Sequence, residues 1–145
     1  MLFLLAGVAI FALLRGQSGG GDSERLPVPF APDDAEMNQA MQDARDTFPE
    51  FLDALRNPAP AFNDFLVKVA FENEGGGEHI WLGSVSESDG ILLGVVESEP
   101  INVPSITYGQ PVIIDPDKIS DWAYFDGDKR IGGFTIAVME KHFRD

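Results

Sequence analysis

Short alternating strands separated by short turns constrain the fold of this chain more than any other sequence feature. After Pro60 apolar residues recur at every second position, which is the period of a strand. The turns hold only a few residues, whereas parallel neighbours need a crossover of a dozen or more. The sequence therefore predicts a twisted antiparallel sheet of five or six strands, or a partly open barrel. The predicted strands are Phe65–Phe71, Glu78–Val85, Ile91–Glu97, Pro111–Asp115, Ile119–Phe125 and Phe134–Glu140.

The residues before Pro60 have a helical pattern instead. From Met37 to Leu55 the apolar residues recur at steps of three and four, which places them on one helix face. Pro49 leaves two alternatives: one kinked helix, or a second helix that starts with a capping box at Thr47. The predicted fold class is α+β, with one or two N-terminal helices packed on the sheet. A single domain is expected over residues 33–145.

The first fifteen residues form a hydrophobic segment. Leu2–Leu14 is apolar and uncharged, shorter than the 17–25 or so residues of a spanning helix but as long as a signal-peptide core. It lacks a basic leader and a clear cleavage site, so an uncleaved anchor, a poorly formed signal peptide and a mis-set start codon remain open. We expect residues 1–15 to direct the chain to the cell envelope, with the periplasmic side favoured over a cytoplasmic-facing orientation. Residues 16–32 are rich in Gly, Ser and Pro and predict a flexible linker.

Charge and composition exclude several classes of function. The chain has 24 acidic residues against 10 Lys and Arg, a net charge of −14. Nucleic acid is not an expected partner because phosphate binding needs clustered basic residues. An anionic membrane surface would repel the domain, so membrane contact is expected only through residues 1–14. The absence of cysteine excludes disulfides, thiol catalysis and iron–sulfur clusters.

Two strings contain the residue types that could carry chemistry. On a strand, His79 and Trp81 point to one side while Glu78 points to the other, and Trp122 and Tyr124 share a side. If the two strands are neighbours, His79 and Asp121 could form a pair framed by Trp rings, and the carboxylate would raise the pKa of His79. The strings are Glu78-His79-Ile80-Trp81-Leu82 and Ile119-Ser120-Asp121-Trp122, with Tyr124 just beyond.

Three interpretations of these strings are open. The favoured one is a buried polar pair that holds two strands together, with the Trp side chains as core. The others are a ligand-contacting surface and a catalytic site. Only Ser84 and Ser120 lie near enough in sequence to act as nucleophiles, and neither belongs to a strained-turn motif.

No metal or cofactor is expected. Neither cluster of aspartates has the spacing of an EF-hand, and Asp-Pro and Asp-Gly pairs commonly form turns. The clusters are Asp115, Asp117 and Asp121, and Asp126 and Asp128.

The glycines have structural interpretations. Gly109, just before Gln110 and Pro111, predicts a turn with positive φ. Gly132 and Gly133 predict a bulge or a close approach of backbone. No basic phosphate-binding pattern accompanies either site.

The two strings, in this order, resemble a known family when combined with Gly94, Glu99-Pro100, Gly109 and Gly133-Phe134-Thr135. They are similar to the YegJ-like bacterial domain of unknown function. The resemblance covers roughly Phe65 to Met139 and implies a small bacterial α+β domain, often behind an export or anchor segment. It implies no reaction and no ligand, so the matched residues are markers without a role.

The leading functional hypothesis is a non-enzymatic binding module of the envelope, directed at a basic protein partner. An inhibitor or immunity-type protein is one version, because an acidic surface accelerates encounter with a basic partner. The alternative is a hydrolase or small-ligand enzyme that uses His79 and Asp121. A self-associating structural component is a third possibility, and the sequence leaves the oligomeric state open.

Overall fold

The computed structural model of the chain describes residues 34–73 and 76–143. The predicted signal or anchor segment at 1–15 and the linker at 16–32 lie outside the described residues. The described elements, in chain order, are α1 (Ala35–Arg56), β1 (Phe62–Asn73), β2 (Gly76–Ser88), β3 (Ile91–Val96), β4 (Pro111–Ile114), a 3-10 turn (Pro116–Lys118), β5 (Ile119–Asp126), β6 (Lys129–Gly132) and α2 (Phe134–Phe143).

The strands form one six-stranded sheet in the order β4-β3-β2-β1-β5-β6. Every neighbouring pair is antiparallel, which confirms the prediction drawn from the short turns. The sheet is not closed into a barrel, since β4 and β6 stand at its two ends. The fold is α+β, as expected.

Helix α1 is one continuous helix that runs through Pro49. Its first turn is capped by Asp34, whose carboxylate accepts a hydrogen bond from the Met37 amide at 2.8 Å. The hydroxyl of Thr47 donates to the carbonyl of Asp43 within the helix rather than starting a second one. Of the two alternatives at Pro49, the structure therefore has the continuous helix.

The hydrophobic core lies on both faces of the sheet. Successive strand residues point to opposite faces, so two clusters form, and α1 contributes to both. The first cluster contains Met37, Ala40, Met41, Leu66, Trp81, Ala123, Phe125, Ile136, Val138 and Met139. The second contains Ala44, Phe51, Ala54, Val67, Val69, Ile80, Leu82, Val85, Leu92, Val96, Ile114, Ile119, Trp122 and Tyr124.

The last predicted strand, Phe134–Glu140, is wrong: this segment is helix α2, Phe134–Phe143. Gly132 and Gly133 adopt φ values of 80° and 73°, which ends β6 and turns the chain. The first two amides of the helix, those of Phe134 and Thr135, donate hydrogen bonds to the carboxylate of Asp121. Asp121 lies on a strand that is remote in sequence from the helix. The second helix of the described chain is thus C-terminal, not N-terminal as the sequence allowed.

Candidate functional site

The structure brings the two strings to either side of strand β1. β2, which carries Trp81, and β5, which carries Asp121, both pair with β1, and Lys68 lies directly opposite both residues. Trp81 and Trp122 belong to different core clusters, so their indole rings lie on opposite faces of the sheet. The two strings are therefore separated by β1 and their indole rings do not meet, but a polar contact between His79 and Ser120 joins the strings.

Asp121 is fully buried and acts as an acceptor for the start of α2. Its carboxylate accepts hydrogen bonds from the amides of Trp122 (2.8 Å), Phe134 (3.0 Å) and Thr135 (2.8 Å). The Thr135 hydroxyl donates to it at 2.5 Å. Burial raises the pKa of Asp121, against the charge of Lys68 and these hydrogen bonds. A carboxylate at a helix N-terminus is also favoured by the helix dipole, so this residue anchors α2 to the sheet.

Lys68 is the residue that sequence reasoning missed. The period of two in a half-buried strand would leave Lys68 on the solvent side, opposite Val67 and Val69, yet Lys68 is only 2% exposed. Its Nζ donates to the Thr135 hydroxyl at 3.0 Å and lies 5.5 Å from the centre of a Trp81 ring. Burial lowers the pKa of Lys68 to about 7, and the Asp121 charge opposes that shift. Lys68, Thr135 and Asp121 form a buried polar network, and we use this name for the three below.

His79 lies beside this network with a different partner. Its Nδ1 is 2.7 Å from the Ser120 hydroxyl, whereas the hydrogen bonds of Asp121 go to Trp122, Phe134 and Thr135. The side chain is 5% exposed. Burial, with the charges of Lys68 and Arg45, lowers the pKa of His79 to about 3. The expected rise in its pKa was therefore wrong, because the carboxylate that would cause it bonds elsewhere.

Glu78 points to the other face of β2 and fixes the loop that precedes β4. Its buried carboxylate accepts hydrogen bonds from the amides of Ile101 (2.7 and 3.0 Å) and Asn102 (2.8 Å). The amide of Trp81 on the same strand donates to the Ser98 hydroxyl at 3.3 Å. The loop between β3 and β4 is thus anchored on β2 at two places.

Trp122 joins the sheet to α1. Its Nε1 donates to the carbonyl of Ala44 at 3.0 Å, one turn before Pro49. Its rings stack at 6.1 Å on Tyr124, the expected neighbour on the same side. A Cβ on Gly132 would lie 2.4 Å from the Trp122 carbonyl, so the predicted close approach at this glycine is confirmed.

The backbone of Ser84, one of the two candidate nucleophiles, has a positive φ. Ser84 has φ 47° and lies at the bulge between Gly83 and Ser86. Bulges commonly carry such backbone angles, so this one needs no functional explanation.

Within residues 34–73 and 76–143, no group of three or more His, Asp or Glu side chains is arranged to hold a metal ion.

The exposed apolar residues lie elsewhere, on the outer side of β3 and β4. Leu93 (37% exposed) is paired directly opposite Ile113 (68% exposed), and Ile91 (50% exposed) is on the same side of β3. We call Ile91, Leu93 and Ile113 the β3–β4 face. Both strands are apolar at almost every position, so the sequence carried no signal for which side would be left uncovered.

Comparison with known proteins places the chain in a family. A sequence profile described as "Uncharacterized protein conserved in bacteria (DUF2314)" matches residues 34–145. The chain belongs to this family. The match begins at the residue that caps α1 and includes every element described above.

Two curated bacterial proteins are similar to the chain. "Uncharacterized protein YegJ" of Escherichia coli K12 is 38% identical over 104 residues, which covers 72% of this chain and 67% of that protein. "Putative ankyrin repeat protein NMB1133/NMB1171" of Neisseria meningitidis serogroup B is 32% identical over 114 residues, 73% of this chain and 45% of that protein. The chain thus spans less than half of the second relative.

The resemblance to the YegJ-like family is confirmed by these matches. No solved structure matches the chain. None of the helices in the described part is both long and apolar enough to cross a bilayer.

Proposed function

We propose that this protein is a non-enzymatic binding module that docks a basic protein segment on the β3–β4 face. The observation that carries the proposal is the exposure of Leu93 and Ile113 as a directly opposed pair. Single exposed apolar residues are ordinary, but contiguous ones at the surface mark interaction sites. Ile91 extends the same patch along β3.

Acidic residues at one end of the face determine the chemistry of the partner. Asp115 directly follows β4, where its carboxylate accepts a hydrogen bond from the amide of Asp117, and Asp89 stands in the turn before Ile91. Both are exposed. A net charge of −14 repels a second copy of the chain and attracts a basic one, so the favoured occupant has apolar side chains flanked by Lys or Arg.

Burial argues against the hydrolase alternative. A general base must reach the proton it abstracts and needs a pKa near the working pH. His79 is almost fully covered, with a pKa of about 3, and the hydrogen bonds of Asp121 go to α2 and to its own strand. His79 and Asp121 therefore stabilise the fold and are not placed to act on a substrate.

A labelled peptide of about twelve residues that alternates Lys and Val tests the proposal with the full chain. A peptide that alternates Lys and Ser has the same charge without the apolar side chains. Fluorescence anisotropy should give micromolar binding of the Lys/Val peptide that weakens as salt rises, and at least about tenfold weaker binding of the Lys/Ser peptide.

Variants of the face supply the control. Ile113→Ser and Leu93→Ser should each weaken binding of the Lys/Val peptide by about tenfold. Ile101→Ser removes an equally apolar side chain, 58% exposed, outside the face, and should leave binding unchanged. Equal losses from all three variants, or no binding of either peptide, would overturn the proposal.

We also propose that residues 1–15 direct this module to the cell envelope, on its periplasmic side, with membrane contact limited to residues 1–14. The support is the apolar run Leu2–Leu14 ahead of a strongly acidic chain. An inhibitor or immunity-type role toward a basic enzyme is one form that such a module can take. Fractionation of cells that express the full chain should recover it from the envelope, and Leu5→Arg should move it to the cytosol. Recovery of the unmodified chain from the cytosol would contradict the location alone.

A further inference from the structure

We infer that the basic partner binds as an added β-strand along the free edge of β4, an inference that rests on the proposed function. β4 is the last strand at its end of the six-stranded sheet, and in the described part of the chain no strand lies beyond it. An edge strand presents backbone N–H and C=O groups that an extended segment can pair with. Main-chain hydrogen bonds would then supply affinity, and side chains beside the β3–β4 face would supply selectivity.

The register of β3 and β4 shows which groups face the edge. The amide of Val96 donates to the carbonyl of Gln110 at 3.0 Å and its carbonyl accepts from the amide of Gly109 at 2.8 Å, so both backbone groups of Val96 point away from β2. Hydrogen-bonded and non-hydrogen-bonded pairs alternate along an antiparallel ladder. Leu93 and Ile113, three positions along, are therefore a non-hydrogen-bonded pair. The N–H and C=O of Ile113 point away from β3, toward the open edge.

Pro111 fits the same phase. It is paired opposite Val95, the other non-hydrogen-bonded position, so a proline there costs no bond to β3. Its carbonyl also faces the edge. The edge thus offers one donor and two acceptors, at Ile113 and Pro111, beside an exposed apolar side chain. Proline and a short strand discourage pairing along a long flat edge, so a short, charge-matched segment is the occupant that this edge suits.

Charge decides between a partner strand and a second copy. Two β4 strands could pair edge to edge about a twofold axis, but each chain has a net charge of −14. Asp115, beside the edge, adds a negative charge to each copy, so the pairing of two copies is opposed by like-charge repulsion. An extended segment with Lys or Arg beside its apolar residues makes the same hydrogen bonds without that repulsion.

Amide hydrogen exchange on the full chain tests the inference, with the alternating Lys/Val peptide as the probe. Exchange of the Ile113 amide should slow by about tenfold or more when the peptide saturates the protein, because its outward N–H gains a partner. The amide of Val112 already points to β3 and serves as an internal control, with little change expected. Slow exchange at Ile113 before peptide is added, together with a dimer in light scattering, would overturn the inference in favour of a second copy.

A pair of variants separates strand addition from docking by side chains alone. Ile113→Pro removes the outward N–H, and Ile113→Val keeps it with a similar side chain. The proline variant should bind the Lys/Val peptide about tenfold more weakly than the valine variant, with an amide spectrum that shows both folded. Peptide binding that Leu93→Ser weakens, but with unchanged exchange at Ile113, would refute strand addition and leave the proposed function standing. No binding at all would refute both.

Discussion

The buried polar network and the β3–β4 face lie in the same sheet but use their residues in opposite ways. At the centre of the sheet, a lysine, an aspartate and a threonine are buried and joined to one another. At the edge, ordinary isoleucine and leucine side chains stand in solvent. The polar side chains are thus buried, and the apolar ones are exposed. Polar residues in a conspicuous string can thus serve packing, whereas the apolar pair at the edge is the surface that we propose for a partner.

The largest expected effect is on stability, at Asp121. Asp121→Ala leaves Lys68 buried without its opposite charge and removes the acceptor for two amides of α2, so the free energy of unfolding should fall by about 3–5 kcal/mol. Urea denaturation measures this. Asp126→Ala, at the exposed end of the same strand, is the matched control and should change stability by less than about 0.5 kcal/mol. Similar midpoints for the two variants would mean that the network does not hold the fold.

A second pair of variants compares glycines in the two regions. Gly132 and Gly109 have similar φ values, 80° and 84°, but a Cβ on Gly132 would lie 2.4 Å from the Trp122 carbonyl, whereas one on Gly109 would meet nothing within 4 Å. Gly109→Ala should therefore cost only backbone strain, about 1 kcal/mol, and Gly132→Ala about 3 kcal/mol or more. Equal losses in thermal or urea unfolding would show that Trp122 yields easily.

The buried His79 makes the stability of the fold depend on pH. The pKa of His79 is lowered from 6.5 to about 3, so between these values the unfolded chain binds a proton that the folded chain does not. Stability that His79 contributes is therefore present above about pH 6.5 and is lost as pH falls toward 3, by about 2 kcal/mol at about pH 5. His79→Gln should flatten this part of the pH profile of unfolding.

The matched control is the exposed histidine on α2. His142 lies 3.4 Å from Glu36 at the surface, where ion pairs contribute little, so His142→Gln should flatten the pH profile less than His79→Gln does. If the two variants flatten the pH profile of unfolding equally, His79 is not buried in solution.

The smallest expected effect on stability is at the edge. Ile113→Ser should change the free energy of unfolding by less than about 0.5 kcal/mol, because its side chain is 68% exposed. Ile114→Ser, one residue along the same strand and 3% exposed, should cost about 3 kcal/mol. A large loss of stability in Ile113→Ser would mean that another part of the chain covers the β3–β4 face. That result would count against the proposed docking surface.

Sequence patterns were sufficient for the sheet and for α1. The alternation and the short turns required antiparallel neighbours, and the apolar stripe from Met37 to Leu55 stayed in phase through Pro49. They were not sufficient for α2. The segment from Phe134 to Met139 alternates like a strand, and the carboxylate that caps it as a helix comes from Asp121, which is remote in sequence.

The sequence predicted most of the residues at the centre of the sheet but not which of them contact each other. The strings around His79 and Asp121 do meet at the centre of the sheet, and their Trp side chains are core. Lys68 was missed because a period of two cannot show that both faces of β1 are covered. The one available signal was that Lys68 and Asp121 are isolated opposite charges within otherwise apolar strands, and such charges are rarely buried without each other.

The most direct test of the account is a map of backbone amide shifts over the full chain as the Lys/Val peptide is added. The largest changes should fall on β3 and β4, at Leu93, Ile113 and their neighbours, while Lys68, His79 and Asp121 stay unchanged. The largest changes at His79 and Asp121, with β4 unmoved, would contradict the central claim that the polar centre of the sheet is structural and the apolar edge is the binding surface.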